Sequence, residues 1–252
     1  AAGIPADNER AKDALARSPR HGEFVDIAMP DGTKLTTWVV YPEAKDKAGA
    51  VIVIHEIFGL SDWARGVADA LAAQGFVALA PDFLSGMGPG GGGTASLGDN
   101  VRTTIRTLKP EAVVARLEAV RGYALTMPAA NGKVGTVGFC WGGAASFNYA
   151  AAQPALNAAV VYYGSSPSDP AAYAKIGAPV LGHYGSDDAR VNTTLPLAEA
   201  EMKKAGKSFT PKIYEGAGHG FLRQLTGRDG ANFKAAEQAW PTTISFFRDH
   251  LK

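Results

Sequence analysis

Lys133-Val134-Gly135-Thr136-Val137-Gly138-Phe139-Cys140-Trp141-Gly142-Gly143-Ala144-Ala145-Ser146-Phe147 is the stretch whose reading decides the fold. Lys133–Phe139 has the β-branched and small residues of a buried strand, and Gly142–Ala152 has the composition of a helix. Cys140 stands at the junction. A side chain displayed on so sharp a strand-to-helix turn sits in strained backbone, and its neighbours must carry almost no side chain. Gly138 and Gly142, at −2 and +2, meet that demand. With Gly at 30 of 252 positions, the three glycines 138, 142 and 143 would coincide by chance about once in 600 trials, so the stretch reads as a nucleophile turn. The turn also puts the sulfur at the amino end of a helix, where orphan N–H groups and the dipole favour negative charge. The alternative is a buried structural cysteine, the commonest fate of a free thiol.

Working outward, the same alternation repeats. Glu23–Ala28 and Leu35–Tyr41 flank the turn signal Pro30-Asp31-Gly32 and predict an antiparallel hairpin. Ala50–Ile54, Phe76–Ala80, Ala158–Tyr163, Pro179–Tyr184 and Ser208–Tyr214 predict further strands. Ser61–Gln74, Pro110–Thr126, Thr194–Ala205 and Phe233–His250 predict the helices between and after them. Strands alternating with helices imply right-handed crossovers, hence a mainly parallel sheet with helices on both faces and the hairpin at its N-terminal side. With no repeat and no linker, residues 1–252 are expected to form a single domain. Residues 1–20 read as a polar surface lead-in. Leu84–Asn100, with Gly86, Gly88 and the run Gly90–Gly93, reads as a flexible surface loop and candidate lid. Gly86-x-Gly88-x-x-Gly91 matches a dinucleotide fingerprint as a string, but no apolar helix opens after it and no P-loop Lys follows.

A thiol nucleophile needs a base, and the base needs a carboxylate to hold its tautomer. Of five histidines, His21 and His250 lie in polar ends, and His55 and His183 lie at or in buried strands and read as structural. His219 sits in Glu215-Gly216-Ala217-Gly218-His219-Gly220-Phe221, a glycine-rich loop after a strand, where doubly wound sheets gather their working residues. Asp187 and Asp188 follow the strand Pro179–Tyr184. Asp188 is preferred because Val191, three residues on, can anchor its loop, leaving Asp187 to water or a turn. The chain order Cys140, Asp188, His219 is that of α/β-hydrolases.

Those residues, with His55-Glu56-Ile57-Phe58-Gly59, Tyr162-Tyr163-Gly164, Asp188-x-x-Val191 and Gly218-His219-Gly220-Phe221-x-Arg223, resemble the dienelactone hydrolase family of the α/β-hydrolase superfamily from about residue 20 to 250. The resemblance implies an α/β-hydrolase fold and a cofactor-independent hydrolase of carboxylic esters or lactones, with Cys140, His219 and Asp188 as its triad and a covalent acyl-enzyme. It implies that Glu56 lies beside the thiol and takes its proton once substrate displaces the carboxylate from Arg223. It implies an oxyanion hole of the Ile57 and Trp141 backbone N–H groups, with Phe58 and Tyr163 lining the pocket. Chlorocatechol-lactone enzymes of the family carry a second arginine shortly after Pro-Asp. Here Pro81-Asp82-Phe83-Leu84-Ser85-Gly86-Met87 has Gly86 there, which weakens ionic recognition of that lactone. A binding module that keeps the fold without catalysis is the alternative, and a complete Cys140, Asp188 and His219 set argues against it.

Composition closes off other classes. Lys plus Arg number 25 against 24 Asp plus Glu, a net charge of +1, without the clustered basic excess of a nucleic-acid partner. No apolar run approaches a membrane span. The single cysteine excludes an internal disulfide and any multi-thiolate zinc site. His55-Glu56 opens like a zinc-protease helix, but the second histidine would be residue 59, which is Gly59, so no metal is expected. The expected partner is a small ester or lactone and the expected state a monomer. The Ala1-Ala2-Gly3 start is what signal-peptide cleavage leaves, suggesting a periplasmic or secreted protein; trimming would leave the same trace, so a cytoplasmic location stays compatible.

Overall fold

Neither face of the apolar run Ala50–Ile54 meets water, and that puts it at the centre of the molecule. A computed structural model of the chain describes residues 3–252. It begins with α1 (Ala11–Ala16), β1 (Gly22–Ala28), β2 (Lys34–Val40), β3 (Ala48–Ile54), α2 (Asp62–Ala73) and β4 (Val77–Pro81). There follow α3 (Thr94–Leu97), α4 (Val101–Thr104), α5 (Pro110–Thr126), β5 (Ala130–Phe139), α6 (Trp141–Ala152) and β6 (Ala158–Tyr162). The last elements are β7 (Val180–Asp187), α7 (Ala189–Asn192), α8 (Leu195–Lys204), β8 (Phe209–Gly218) and α9 (Ala231–His250).

The strands form one eight-stranded sheet in the order β1-β2-β4-β3-β5-β6-β7-β8. From β4 to β8 every neighbouring pair is parallel, and the β1–β2 hairpin joins antiparallel against β4. Successive side chains of β3 feed opposite cores, as a strand's period of two requires. Ile52 and Ile54 pack with Leu117 and Val120 of α5, Phe147 of α6 and Met202 of α8. Val51 and Val53 pack with Val67 and Leu71 of α2 and Trp240 and Phe247 of α9. Helices therefore cover both faces, the arrangement expected for α/β-hydrolases. Local signals start the helices: the Ser61 side chain accepts the Ala64 N–H at the front of α2, and Pro110 occupies the first turn of α5. No helix among the described residues is long and apolar enough to cross a membrane.

Two strands run past their expected ends. β7 and β8 run on to Asp187 and Gly218, beyond the residues with strand-like composition, because they pair with each other through their last residues. Two stretches expected at the surface are in part internal. In residues 1–20, Asp7 is buried against the Arg10 guanidinium and Ala11 packs into the α2–α9 side of the core. Ala1 and Ala2, on which the export expectation rests, lie outside the described residues. Leu84–Asn100 is not a free loop. Asp82, just past β4, accepts the Thr94 N–H at 2.8 Å, the Thr94 hydroxyl at 2.7 Å and the Leu84 N–H at 3.0 Å. Leu84 and Leu97 join Val101 and Ile105 in a small apolar cluster. Glycine content announces backbone freedom, and a carboxylate staple with a small apolar cluster anchors the segment on either side of Pro89–Gly91.

Candidate active site

Each parallel strand from β3 to β8 delivers a polar or reactive residue just past its carboxyl end: Glu56 after β3, Asp82 after β4, Cys140 after β5, Tyr163 after β6, Asp188 after β7 and His219 after β8. Cys140 adopts φ 56° and ψ −116°, a conformation that costs a side-chain-bearing residue roughly 1–3 kcal/mol. Tertiary contacts hold it there. Its N–H donates to the Tyr162 carbonyl at 3.0 Å, and its carbonyl accepts the Gly143 N–H at 3.0 Å. A Cβ on Gly138 would overlap the Gly142 carbonyl, and one on Gly142 would overlap the Ile54 and His55 carbonyls. Only glycine lets the first turn of α6 pack down on the end of β3.

The Cys140 sulfur lies 3.0 Å from His219 Nε2, and His219 Nδ1 lies 2.7 Å from Asp188 Oδ2. Asp188 is buried and Cys140 partly exposed, so the row runs from the interior towards the surface. Burial disfavours the imidazolium, but the Asp188 carboxylate and the Cys140 sulfur outweigh it, and the His219 pKa is pushed up to about 9. Asp187 stays exposed to water and pairs there with Arg228.

Glu56 is almost wholly buried. Arg223 Nε donates to its Oε2 at 2.7 Å and the Tyr163 hydroxyl donates to its Oε1 at 3.1 Å. Burial raises the Glu56 pKa while the guanidinium pulls it back, with the net direction upward. The sequence resemblance implies Glu56 beside the thiol. The sulfur hydrogen-bonds His219, and Glu56 is held by Arg223 and Tyr163, so its carboxylate rests on the guanidinium. Phe58 lies under Arg223, with 4.6 Å from guanidinium carbon to ring centroid, and is exposed. Tyr163 itself is buried with φ 38°, its ring edge-on to His219 at 5.2 Å. Gly86 has φ +80°, and a Cβ there would come within 3.1 Å of Thr33 Cγ2, so a larger side chain would be strained at that position.

The Ile57 and Trp141 N–H groups have no hydrogen-bond acceptor among the described residues. Trp141 opens α6, where the first N–H groups have no partner within the helix. No cluster of three or more His, Cys, Asp or Glu side chains among the described residues has a geometry suited to a metal ion. His183 is structural in its contacts, bonded to the Tyr214 and Thr243 hydroxyls at 2.8 and 3.0 Å. Burial and Lys212 bring its pKa down to about 3. Three residues at the site escape sequence inspection. Asp82 and Thr94 tie the glycine-rich segment down, and Arg102 of α4 brings its guanidinium carbon to 5.9 Å from the Phe58 centroid. A carboxylate directly after a predicted strand was a usable signal for Asp82; nothing local distinguishes Arg102. Phe58, Thr94, Asp99, Val101 and Arg102 line a neighbouring cavity of about 610 Å³.

A mainly parallel sheet flanked by helices, with a strained residue between strand and helix beside an Asp–His pair, defines an α/β-hydrolase fold. The family model described as the dienelactone hydrolase family matches residues 35–251, and the chain belongs to that family. It is accordingly a carboxylic ester or lactone hydrolase. Similar proteins include one of Saccharolobus solfataricus provisionally assigned as a carboxymethylenebutenolidase, 30% identical over 86% of this chain and 95% of its own. Another, from Bradyrhizobium sp., is provisionally named a 2-oxo-3-(5-oxofuran-2-ylidene)propanoate lactonase and is 31% identical over 91% of this chain and 94% of its own. Among solved structures, a dienelactone hydrolase-like promiscuous phosphotriesterase from metagenomic libraries superposes with a TM-score of 0.77 at 25% identity, covering 92% of this chain and 99% of the other. The dienelactone hydrolase of Anabaena variabilis gives 0.71 at 22% identity, covering 92% and 99%, a likeness of fold.

Proposed function

We propose that the protein hydrolyses a small ester or lactone through a thioester on Cys140, with every reacting group supplied by the chain itself. The observation that carries this is the row from Cys140 Sγ through His219 to Asp188, with spacings of 3.0 and 2.7 Å, mounted on the strained turn. At neutral pH the raised affinity of His219 keeps a proton on the imidazole facing the sulfur. The sulfur attacks the acyl carbon and an S–C bond forms. The carbonyl electron pair moves onto oxygen, which the Ile57 and Trp141 N–H groups receive. When the tetrahedral species collapses, the C–O bond to the leaving oxygen breaks and His219 Nε2 delivers its proton there. Water then attacks the thioester carbonyl while His219 takes its proton; the second tetrahedral species collapses, the S–C bond breaks with its electron pair returning to sulfur, and the carboxylic acid product departs.

Asp188 keeps the imidazole in the tautomer and orientation these steps need. Arg223 and Glu56 supply selectivity. A substrate carboxylate that takes over the guanidinium leaves Glu56 buried without its counter-ion, which raises its proton affinity further and makes it the second proton acceptor of the cleft. Phe58 and Tyr163 border the acyl group. The deciding experiment is a rapid acid quench with p-nitrophenyl acetate followed by peptide mass spectrometry. An acetyl group on Cys140 is expected in wild type, with turnover lost in a folded Cys140→Ala. Full turnover in that variant would refute the assignment.

A further inference from the structure

His55 lies just past β3, wholly buried, and its two hydrogen bonds leave the ring one protonation state. The Phe83 N–H can only donate, so Nε2, 3.1 Å away, carries the lone pair. The Glu56 carbonyl can only accept, so Nδ1, 2.8 Å away, carries the proton. Burial disfavours the imidazolium, against a weaker pull from Asp82, and the ring stays neutral in that tautomer. The same carbonyl accepts the Gly59 N–H at 3.2 Å, so two donors hold it.

The Glu56 carbonyl and the Ile57 N–H belong to one peptide group, and none of the described peptide bonds is cis. In a trans peptide those two bonds point in opposite directions. Whatever pins the carbonyl therefore aims the N–H. The imidazole also lies nearly parallel to the Trp141 indole, with centroids 5.9 Å apart and planes 20° apart. Phe83 meets both rings edge-on, at 5.3 and 5.5 Å. One side chain thus braces the peptide that carries the first unpaired N–H and the residue that carries the second.

The geometry points to His55 as a positioning residue of the oxyanion hole, its Nδ1–H bond orienting the Glu56–Ile57 peptide while its ring seats Trp141. This role rests on the acyl-transfer chemistry proposed for Cys140, because only a developing oxyanion gives the two N–H groups something to hold. The oxyanion exists in the tetrahedral species and not in bound substrate. A misaimed donor therefore lowers kcat and leaves KM nearly alone. Alkylation of the sulfur by iodoacetamide forms no oxyanion and is insensitive to the aim of the donors.

His55→Phe keeps a ring against Trp141 and removes both hydrogen bonds. With p-nitrophenyl acetate its kcat should fall about 10- to 100-fold, less than outright loss of an oxyanion donor, while KM changes by about twofold at most. Affinity for a trifluoromethyl ketone, whose addition to the thiol creates the oxyanion, should fall by a similar factor, and the rate of Cys140 alkylation by iodoacetamide should hold. His55→Gln, with an amide that can donate and accept, should recover most of the loss. Unchanged kcat in His55→Phe, or a fall in alkylation as large as the fall in kcat, would overturn the role. If His55→Phe fails to fold, His55→Met, which fills the space without a donor to the Glu56 carbonyl, decides on the same comparison: its loss must appear in kcat and ketone affinity but not in alkylation, and wild-type values throughout would overturn the role. A different result condemns the underlying chemistry: wild-type enzyme that binds the ketone no better than Cys140→Ala.

Discussion

Replacing Asp188 with Asn removes the charge that holds His219 while keeping the side chain's volume. The His219 pKa stands at about 9 against an ordinary 6.5, a linkage worth at most roughly 3 kcal/mol. Two corrections shrink it. The imidazole is 34% exposed, so solvent screens the pair, and the Cys140 sulfur shares the upward push; about 1–2 kcal/mol remains for Asp188. Because the folded-state value is raised, this stability is fully present below the ordinary histidine range and fades as pH rises through about 9. Urea unfolding of Asp188→Asn should therefore show a deficit of about 1–2 kcal/mol near pH 5.5 that vanishes near pH 10. Turnover of p-nitrophenyl acetate should drop by about a thousandfold or more at neutral pH, since an amide can hold the imidazole in the wrong tautomer. A deficit that grows with pH, or a variant within tenfold of wild-type activity, would refute the account of the Asp188–His219 pair.

Two further perturbations probe the rest of the cleft. Arg223→Gln strips Glu56 of its counter-ion and drives its already raised pKa higher. A raised carboxyl loses stability as pH climbs through its folded value, so the cost should approach about 3 kcal/mol near pH 8 and be clearly smaller near pH 5 by urea unfolding; a pH-independent cost would contradict this. Any advantage of a carboxylate-bearing lactone over a neutral ester should disappear in the same variant. Asp82→Asn weakens the staple on Thr94, which should cost about 2 kcal/mol and raise amide exchange across residues 94–105; protection equal to wild type would show that the segment's apolar cluster suffices without the carboxylate.

The neighbourhood of Cys140 was legible because backbone sterics at the turn leave glycine the sole choice at 138 and 142, and that constraint is local. The parallel sheet was legible for a related reason: strands covered on both faces, such as Ala50–Ile54, must be apolar throughout. His219 could be picked out by its place after a strand. Loop anchoring by Val191 favours Asp188 over Asp187 in the sequence, while the pairing of Asp187 with Arg228 from beyond β8 exists only in the folded chain.

What remained hidden depends on partners far away along the chain. The glycine-rich segment read as mobile because composition records what a backbone is free to do, whereas Asp82 decides what it does. Glu56 could be named through family resemblance, but its burial and its hold on Arg223 and Tyr163 exist only once β3, β6 and the loop after β8 converge. His55 read as structural from its position at the end of a buried strand. Its tautomer follows from a donor on one side and an acceptor on the other, contributed by residues 83 and 56. The amino-acid order by itself determined which residues can tolerate the strained turn and the dry interior. The tertiary structure alone decided the charge, tautomer and aim of the groups around the sulfur, because those are set by the fields and hydrogen-bond partners of segments distant in sequence.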